Sequence, residues 1–188
     1  DMAKFFGNLH AVLGLRVVLA LALTASVPAT CDLEQQAIRW LHTFFGILWI
    51  GLLYYFNFVQ IPTMPKIPAE LKPGVSKHIA PSALFFFRWG AALTVLFGLI
   101  IAFRAGYLMD ALMLAESHRL IGIGMWLALI MAFNVWFVIW PNQKKALGMV
   151  EADDATKAKA ASTAMMFSRT NTLLSIPMLY AMIGFNGG

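Results

Sequence analysis

Apolar positions in this chain gather into long runs, and polar positions fall between the runs instead of alternating with them. The runs cover about 37–59, 82–103, 119–140 and 171–186. A hydrocarbon core of roughly 30 Å needs about 20 such residues in a helix. Each run therefore predicts a transmembrane helix, the last one if its helix starts near Met165. A fifth run, about 9–29, follows Lys4, contains Arg16 and ends in Ser26-Val27-Pro28-Ala29. That pattern suits a signal peptide as well as a membrane helix. We read it as a first transmembrane helix in which Arg16 is paired or snorkels. Pro62, Pro65, Pro68, Pro73 and Pro81 predict an extended loop over 61–81. Pro141 is expected to stop the fourth span, and the Ala/Lys/Asp-rich stretch 142–164 reads as a solvent-exposed helix. The predicted fold is all-α integral membrane. A four-helix transmembrane bundle lies within 37–188, preceded over 1–36 by an additional N-terminal helix and an outer linker.

Composition sharpens that picture. Of the 188 residues, 60% are hydrophobic and 12% charged, against about 45–50% and 25% in soluble domains. So little charge cannot cover a soluble surface, which argues against a soluble enzyme. The net charge of +5 gives no case for a nucleic-acid partner, because in membrane proteins Lys and Arg report orientation. With five spans and the N-terminus inside, the inner segments hold Lys4, Lys66, Lys72, Lys77, Lys144, Lys145, Lys157 and Lys159, which is every lysine. The outer segments carry Asp32, Glu34, Asp110 and Glu116 against Arg104. The expectation is a multi-pass protein of a bacterial inner membrane, C-terminus outside. Cys31 is the single cysteine, so the chain contains no C-x-x-C-H, and any c-type haem belongs to a partner.

Ionisable residues inside a bilayer are costly and mark function. His42 and His118 both fall in the outer part of their spans. His10, His42 and His118 are each followed four residues later by a glycine, Gly14, Gly46 and Gly122. This spacing puts imidazole and bare backbone on one helical face. It suits haem b, with His42 and His118 as axial ligands and Gly46 and Gly122 admitting the porphyrin. The alternative is that glycine is common in membrane helices and the histidines bond neighbouring helices. A second, inner haem between His10 and His78 is a weaker option. Arg39 and Arg119 lie near the proposed pair and suit haem propionates, or else anchor the interface. Arg88, six residues into its span, needs a carbonyl, an anion or a propionate. Asn57 and Asn134 read first as interhelical hydrogen-bonding groups. Met125 and Met131 are apolar filler or alternative axial ligands.

Several strings are familiar. Trp40-Leu41-His42, the run from Trp49 to Gln60, Phe87-Arg88-Trp89-Gly90-Ala91 and Met131 to Lys144 resemble the membrane domain of bacterial cytochrome-linked urate hydroxylases, the PuuD type. Arg169-Thr170-Asn171 and Ser175-Ile176-Pro177 continue the likeness, which spans about 40–185. The resemblance implies a membrane module that supports urate oxidation and passes electrons to a cytochrome c. More distantly, a compact helix bundle with a membrane histidine is similar to HemJ-type protoporphyrinogen oxidases and CopD-like copper-resistance proteins. Three functions stand at this point. The first is a haem-b electron-transfer protein feeding an outer c-type cytochrome or a larger membrane redox complex. The second is a urate-hydroxylase-like oxidase module, with Asn134, Arg88 and His42 as its polar groups. The third is a non-redox accessory subunit.

Overall fold

A computed structural model of the chain describes residues 5–26 and 32–185, with backbone alone at 24 and 25. All regular structure among the described residues is helical, and the chain divides into two compact units, Asp1–Ala37 and Ile38–Gly188. In the first, helix α1 (Leu9–Ser26) is capped by Asn8, whose Oδ1 accepts from the backbone N–H groups of His10 at 3.1 Å and Ala11 at 3.3 Å. Its apolar stretch, Leu9–Leu23, is shorter than the long helices that follow. The end of the expected 9–29 span and most of the linker lie outside the described residues.

Among the described residues three helices are long and apolar enough to cross a membrane: α2 (Leu33–Lys66), α3 (Lys72–Arg104) and, after the short α4 (Leu108–Leu112), α5 (Glu116–Ala146). The last, α6 (Asp154–Gly184), is 31 residues long. Its buried stripe is Ala160, Ala164, Ser168, Asn171, Ser175, Met178 and Ala181, small or polar at almost every position. Its outer face presents Leu173, Ile176, Tyr180 and Ile183, all mostly exposed. A soluble amphipathic helix has the opposite polarity. Ile47, Phe103 and Phe137 are likewise 68–73% exposed on α2, α3 and α5. An apolar outer surface of this extent is rare on a soluble monomer and is consistent with a membrane protein.

Trp49, Leu53 and Phe56 of α2, Leu84, Phe87 and Ala91 of α3, Met131, Val135 and Ile139 of α5, and Ala164 and Met178 of α6 share one core. Close approach depends on small residues, as expected where lipid tails weaken the hydrophobic drive between helices. A Cβ added to Gly90 would lie 3.3 Å from the Trp49 backbone nitrogen, and one on Gly124 would lie 3.1 Å from Ala181 Cβ.

The structure corrects the reading of the prolines. Instead of an extended loop over 61–81, the chain is helical to Lys66 and again from Lys72. Likewise Pro141 does not end its span, which continues to Ala146. The reason is local. Wide, π-helical turns at Tyr55–Gln60, Val75–Ile79 and Asn134–Ile139 each close on the residue just before a proline. The N–H groups of Ile61, Ala80 and Trp140 reach back five residues, to the carbonyls of Phe56, Val75 and Val135. An α-helix would lose a hydrogen bond at proline and press its ring against the carbonyl four residues back, at about 3 kcal/mol. The widened turn accommodates the ring. The stretch 142–164 is also not one exposed helix: it contains the end of α5, a turn, and the first turns of α6.

Candidate functional site

At the end of the molecule formed by the start of α2 and the end of α3, His42 Nδ1 lies 2.8 Å from the Thr94 carbonyl oxygen. In the tautomer that donates from Nδ1, Nε2 is left for a ligand, the usual arrangement of a metal-bound histidine. A bare backbone does admit this imidazole, but it belongs to the facing helix. A Cβ on Gly98 would lie 2.8 Å from His42 Cε1, whereas Gly46 faces Thr94 Cγ2. His118 sits one helix along, stacked on Tyr107 with centroids 5.3 Å apart and planes 8° apart. Its Nδ1 is 2.9 Å from Ser117 Oγ and 3.7 Å from Asp110 Oδ2. Gly122 is filled from outside too, since a Cβ there would overlap the Ala111 carbonyl oxygen. Arg39 and Arg119 are exposed. Arg39 acts electrostatically on Tyr107, whose phenol is pushed up by burial and drawn partly back down by that charge. The residues fit haem b in part: His42 has the orientation of a ligand, while the surfaces over Gly46 and Gly122 are taken by protein. His10 belongs to the first unit and is exposed, and His78 is exposed on the second. Met131 is fully buried in the main core, and Met125 packs with Ala102, Ala111 and Ile121.

A second set of polar groups runs through the interior along α6. Asn134 Nδ2 donates to Asn171 Oδ1 at 2.9 Å, and Asn171 Nδ2 donates to the Met131 carbonyl at 2.9 Å. Asn57 Nδ2 donates to Ser168 Oγ at 2.8 Å and to the Leu53 carbonyl at 2.9 Å. The Tyr54 hydroxyl meets Ser175 Oγ at 2.9 Å. Asn57 and Asn134 therefore do bond across helices, and both sit in the widened turns.

Below this ladder, toward the lysine-rich ends of the helices, a cavity of about 150 Å³ opens among α2, α3, α5 and α6, with Gln60, Gln143 and Ser168 in its lining. The buried Oε1 atoms of Gln60 and Gln143, and Oδ1 of Asn57 beside Ser168, accept no hydrogen bond. An unmet buried acceptor costs about 1–3 kcal/mol, so the two glutamine oxygens lining this cavity mark a site built for donors. The sequence reading passed over both glutamines. Their signal was available: each stands close to a proline that forces a widened turn, Gln60 before Pro62 and Gln143 after Pro141.

Arg88, for which a carbonyl, an anion or a propionate was expected, packs its guanidinium against tryptophan. Its guanidinium carbon lies 3.4 Å from the Trp140 ring centroid and 5.8 Å from that of Trp136, and its Nε and Nη1 are buried without an acceptor. Among the described residues, no group of three or more His, Cys, Asp and Glu side chains comes together to hold a metal ion.

Comparison with known families matches residues 88–186 to the urate oxidase N-terminal family. Comparisons with curated proteins and with solved structures give no match. The matched segment begins at Arg88 and contains Asn134, Gln143, Ser168 and Asn171, that is, most of the polar interior. The chain, matched over more than half its length, belongs to the urate oxidase N-terminal family.

Proposed function

We propose that this protein is a multi-pass, four-helix transmembrane module of the urate-hydroxylase kind, PuuD-like, whose electron acceptor is a c-type cytochrome on a separate chain. The observation that carries the reading is the family match over 88–186. The chemistry of the interior supports it. Urate is small, flat and rich in N–H donors, and the cavity offers the unmet amide oxygens of Gln60 and Gln143. Each glutamine amide also carries N–H groups that match the urate carbonyls. Hydroxylation removes two electrons and two protons from urate and adds water, so two ferric cytochromes are reduced per turnover. In this reading Gln60 and Gln143 orient the ring, while the Asn57–Ser168 bond fixes one wall. Asn134 and Asn171 hold α5 and α6 in register behind it. In this reading the lysine-rich end lies on the cytoplasmic side of a bacterial inner membrane, as the lysine distribution favours.

The test uses the purified protein in lipid nanodiscs with a soluble cytochrome c. Urate-dependent reduction that is lost in Gln143→Leu supports the reading, and no reduction by folded protein counts against it.

A second reading is favoured by the His42–Thr94 contact: a haem-b electron-transfer subunit with His42 and His118 as axial ligands, and Arg39 and Arg119 at the propionates. When bound, such a group carries single electrons; His42 would hold it and the Thr94 carbonyl would fix the imidazole. A reduced-minus-oxidised spectrum decides. An α-band that His42→Ala abolishes establishes this reading, and its absence from the wild-type protein removes it.

A further inference from the structure

Arg88 carries a charge that the protein itself leaves unanswered. Its Nε and Nη1 are buried with no acceptor among the described residues, and its guanidinium carbon lies near two indole centroids, Trp140 at 3.4 Å and Trp136 at 5.8 Å. The same Trp140 ring has Lys144 Nζ 5.5 Å from its centroid. Two cations thus lie against one indole, and no carboxylate among the described residues is paired with either. Cation–π contact offsets part of the cost of burying a guanidinium but leaves its hydrogen-bond donors unmet.

Position decides what the missing partner is. Side chains on a helix point toward its N-terminus, so Arg88 reaches along α3 toward the lysine-rich end, where Trp140 and Lys144 stand near the C-terminal end of α5. This is how arginine snorkels from within a span to the headgroup level. Beside it on α3, Phe85, Phe86 and Trp89 are about half exposed, and Trp89 meets Trp136 edge to face at 5.5 Å. Trp136 Nε1 donates to the Arg88 carbonyl at 3.1 Å, which fixes the indole wall. Arg88 and Lys144 thus both lie against Trp140, beside a half-exposed aromatic strip of Phe85, Phe86 and Trp89.

We infer that Arg88, Lys144 and Trp140 form a binding site for the phosphate of an anionic phospholipid, whose acyl chains lie along Phe85, Phe86 and Trp89. The inference rests on the membrane reading above. It is independent of the urate reading, because Arg88, Trp140 and Lys144 do not line the Gln60–Gln143 cavity.

The experiment places the protein in nanodiscs of phosphatidylcholine alone or mixed with phosphatidylglycerol, and counts retained lipids by native mass spectrometry after transfer to detergent. Stable insertion into phosphatidylcholine alone tests the membrane reading by itself. The expected result is preferential retention of phosphatidylglycerol, reduced on the order of five- to tenfold in Arg88→Gln and kept in Arg88→Lys. Lys144→Gln, at the helix end where folding is least at risk, should reduce it to a smaller degree. Equal retention of both lipids, or unchanged preference in folded Arg88→Gln and Lys144→Gln, overturns the inference. Displacement of the lipid by inorganic phosphate at comparable concentration also overturns it, since the site would then prefer a free anion.

Discussion

Asn171 is fully buried, and both ends of its amide are used: Oδ1 accepts from Asn134 and Nδ2 donates to the Met131 carbonyl. Asn171→Leu would leave the Asn134 amide without its acceptor. We expect a loss of about 1–2 kcal/mol, read by denaturant titration in mixed micelles, with the Asn134→Leu/Asn171→Leu pair losing less than the sum of the single variants. Strict additivity would contradict the coupling. Gly98 makes a sharper test of the His42 site. Gly98→Val places a methyl-bearing Cβ against the imidazole, so it should displace His42 from Thr94, whereas Gly46→Ala should be tolerated. Side-chain NMR of His42 separates the two, and equal effects would contradict the facing-helix assignment. At this scale the sequence was only partly legible. Asn57 and Asn134 stand out as polar letters in apolar runs, and their cross-helix role follows from the cost of burying an amide. Gly98 could not be found, because its role depends on which helix faces His42, and periodicity within one helix carries no such information. Gln60 and Gln143 were missed because glutamine near a span end reads as ordinary interface.

For the elements, the prolines carry the lesson. Read one at a time, each ends a helix; in the structure, Pro62, Pro81 and Pro141 each follow a widened turn that moves the carbonyl the ring would strike. The sequence does not display that alternative, since it is stabilised by packing: Asn57 and Asn134 sit in two of these turns with partners on α6. The extent of α6 was hidden for a related reason. Its buried face is small and polar, so only its C-terminal half registers as an apolar run. Its start is set by Asp153, whose carboxylate accepts from the Thr156 backbone N–H at 2.7 Å and from the Thr156 hydroxyl at 3.1 Å. These bonds, the backbone one foremost, hold the Asp153 carboxyl below its usual range. The sign follows from linkage. A lowered carboxylate pKa adds stability that is present above the unfolded value of about 4, and it is lost as pH falls through the folded value. The Thr156 amide resonance should therefore titrate with a midpoint below about 4, and Asp153→Asn should abolish that titration. A midpoint at or above the ordinary value would contradict the cap.

Taken whole, the molecule is a case where composition was the most informative property. The scarcity of charge pointed to a membrane protein instead of a soluble one, and three helices of spanning length are present among the described residues. Orientation is testable separately. With Cys31→Ser as background, an impermeant maleimide should label Met113→Cys in intact cells, and Lys145→Cys only after permeabilisation; the reverse would invert the proposed topology. The family was legible through strings of residues more than through spacing: residues 88–186 match the urate oxidase N-terminal family, whereas the histidine–glycine spacing led to glycines that face Thr94 and Ala111. The most direct measurement is the α-band of cytochrome c incubated with the protein in nanodiscs, with and without urate. Cytochrome should be reduced only when urate is present, and Gln143→Leu should slow that reduction by an order of magnitude, about 1.4 kcal/mol, with the fold intact. Folded, inserted protein that leaves the cytochrome oxidised in the presence of urate would contradict the account.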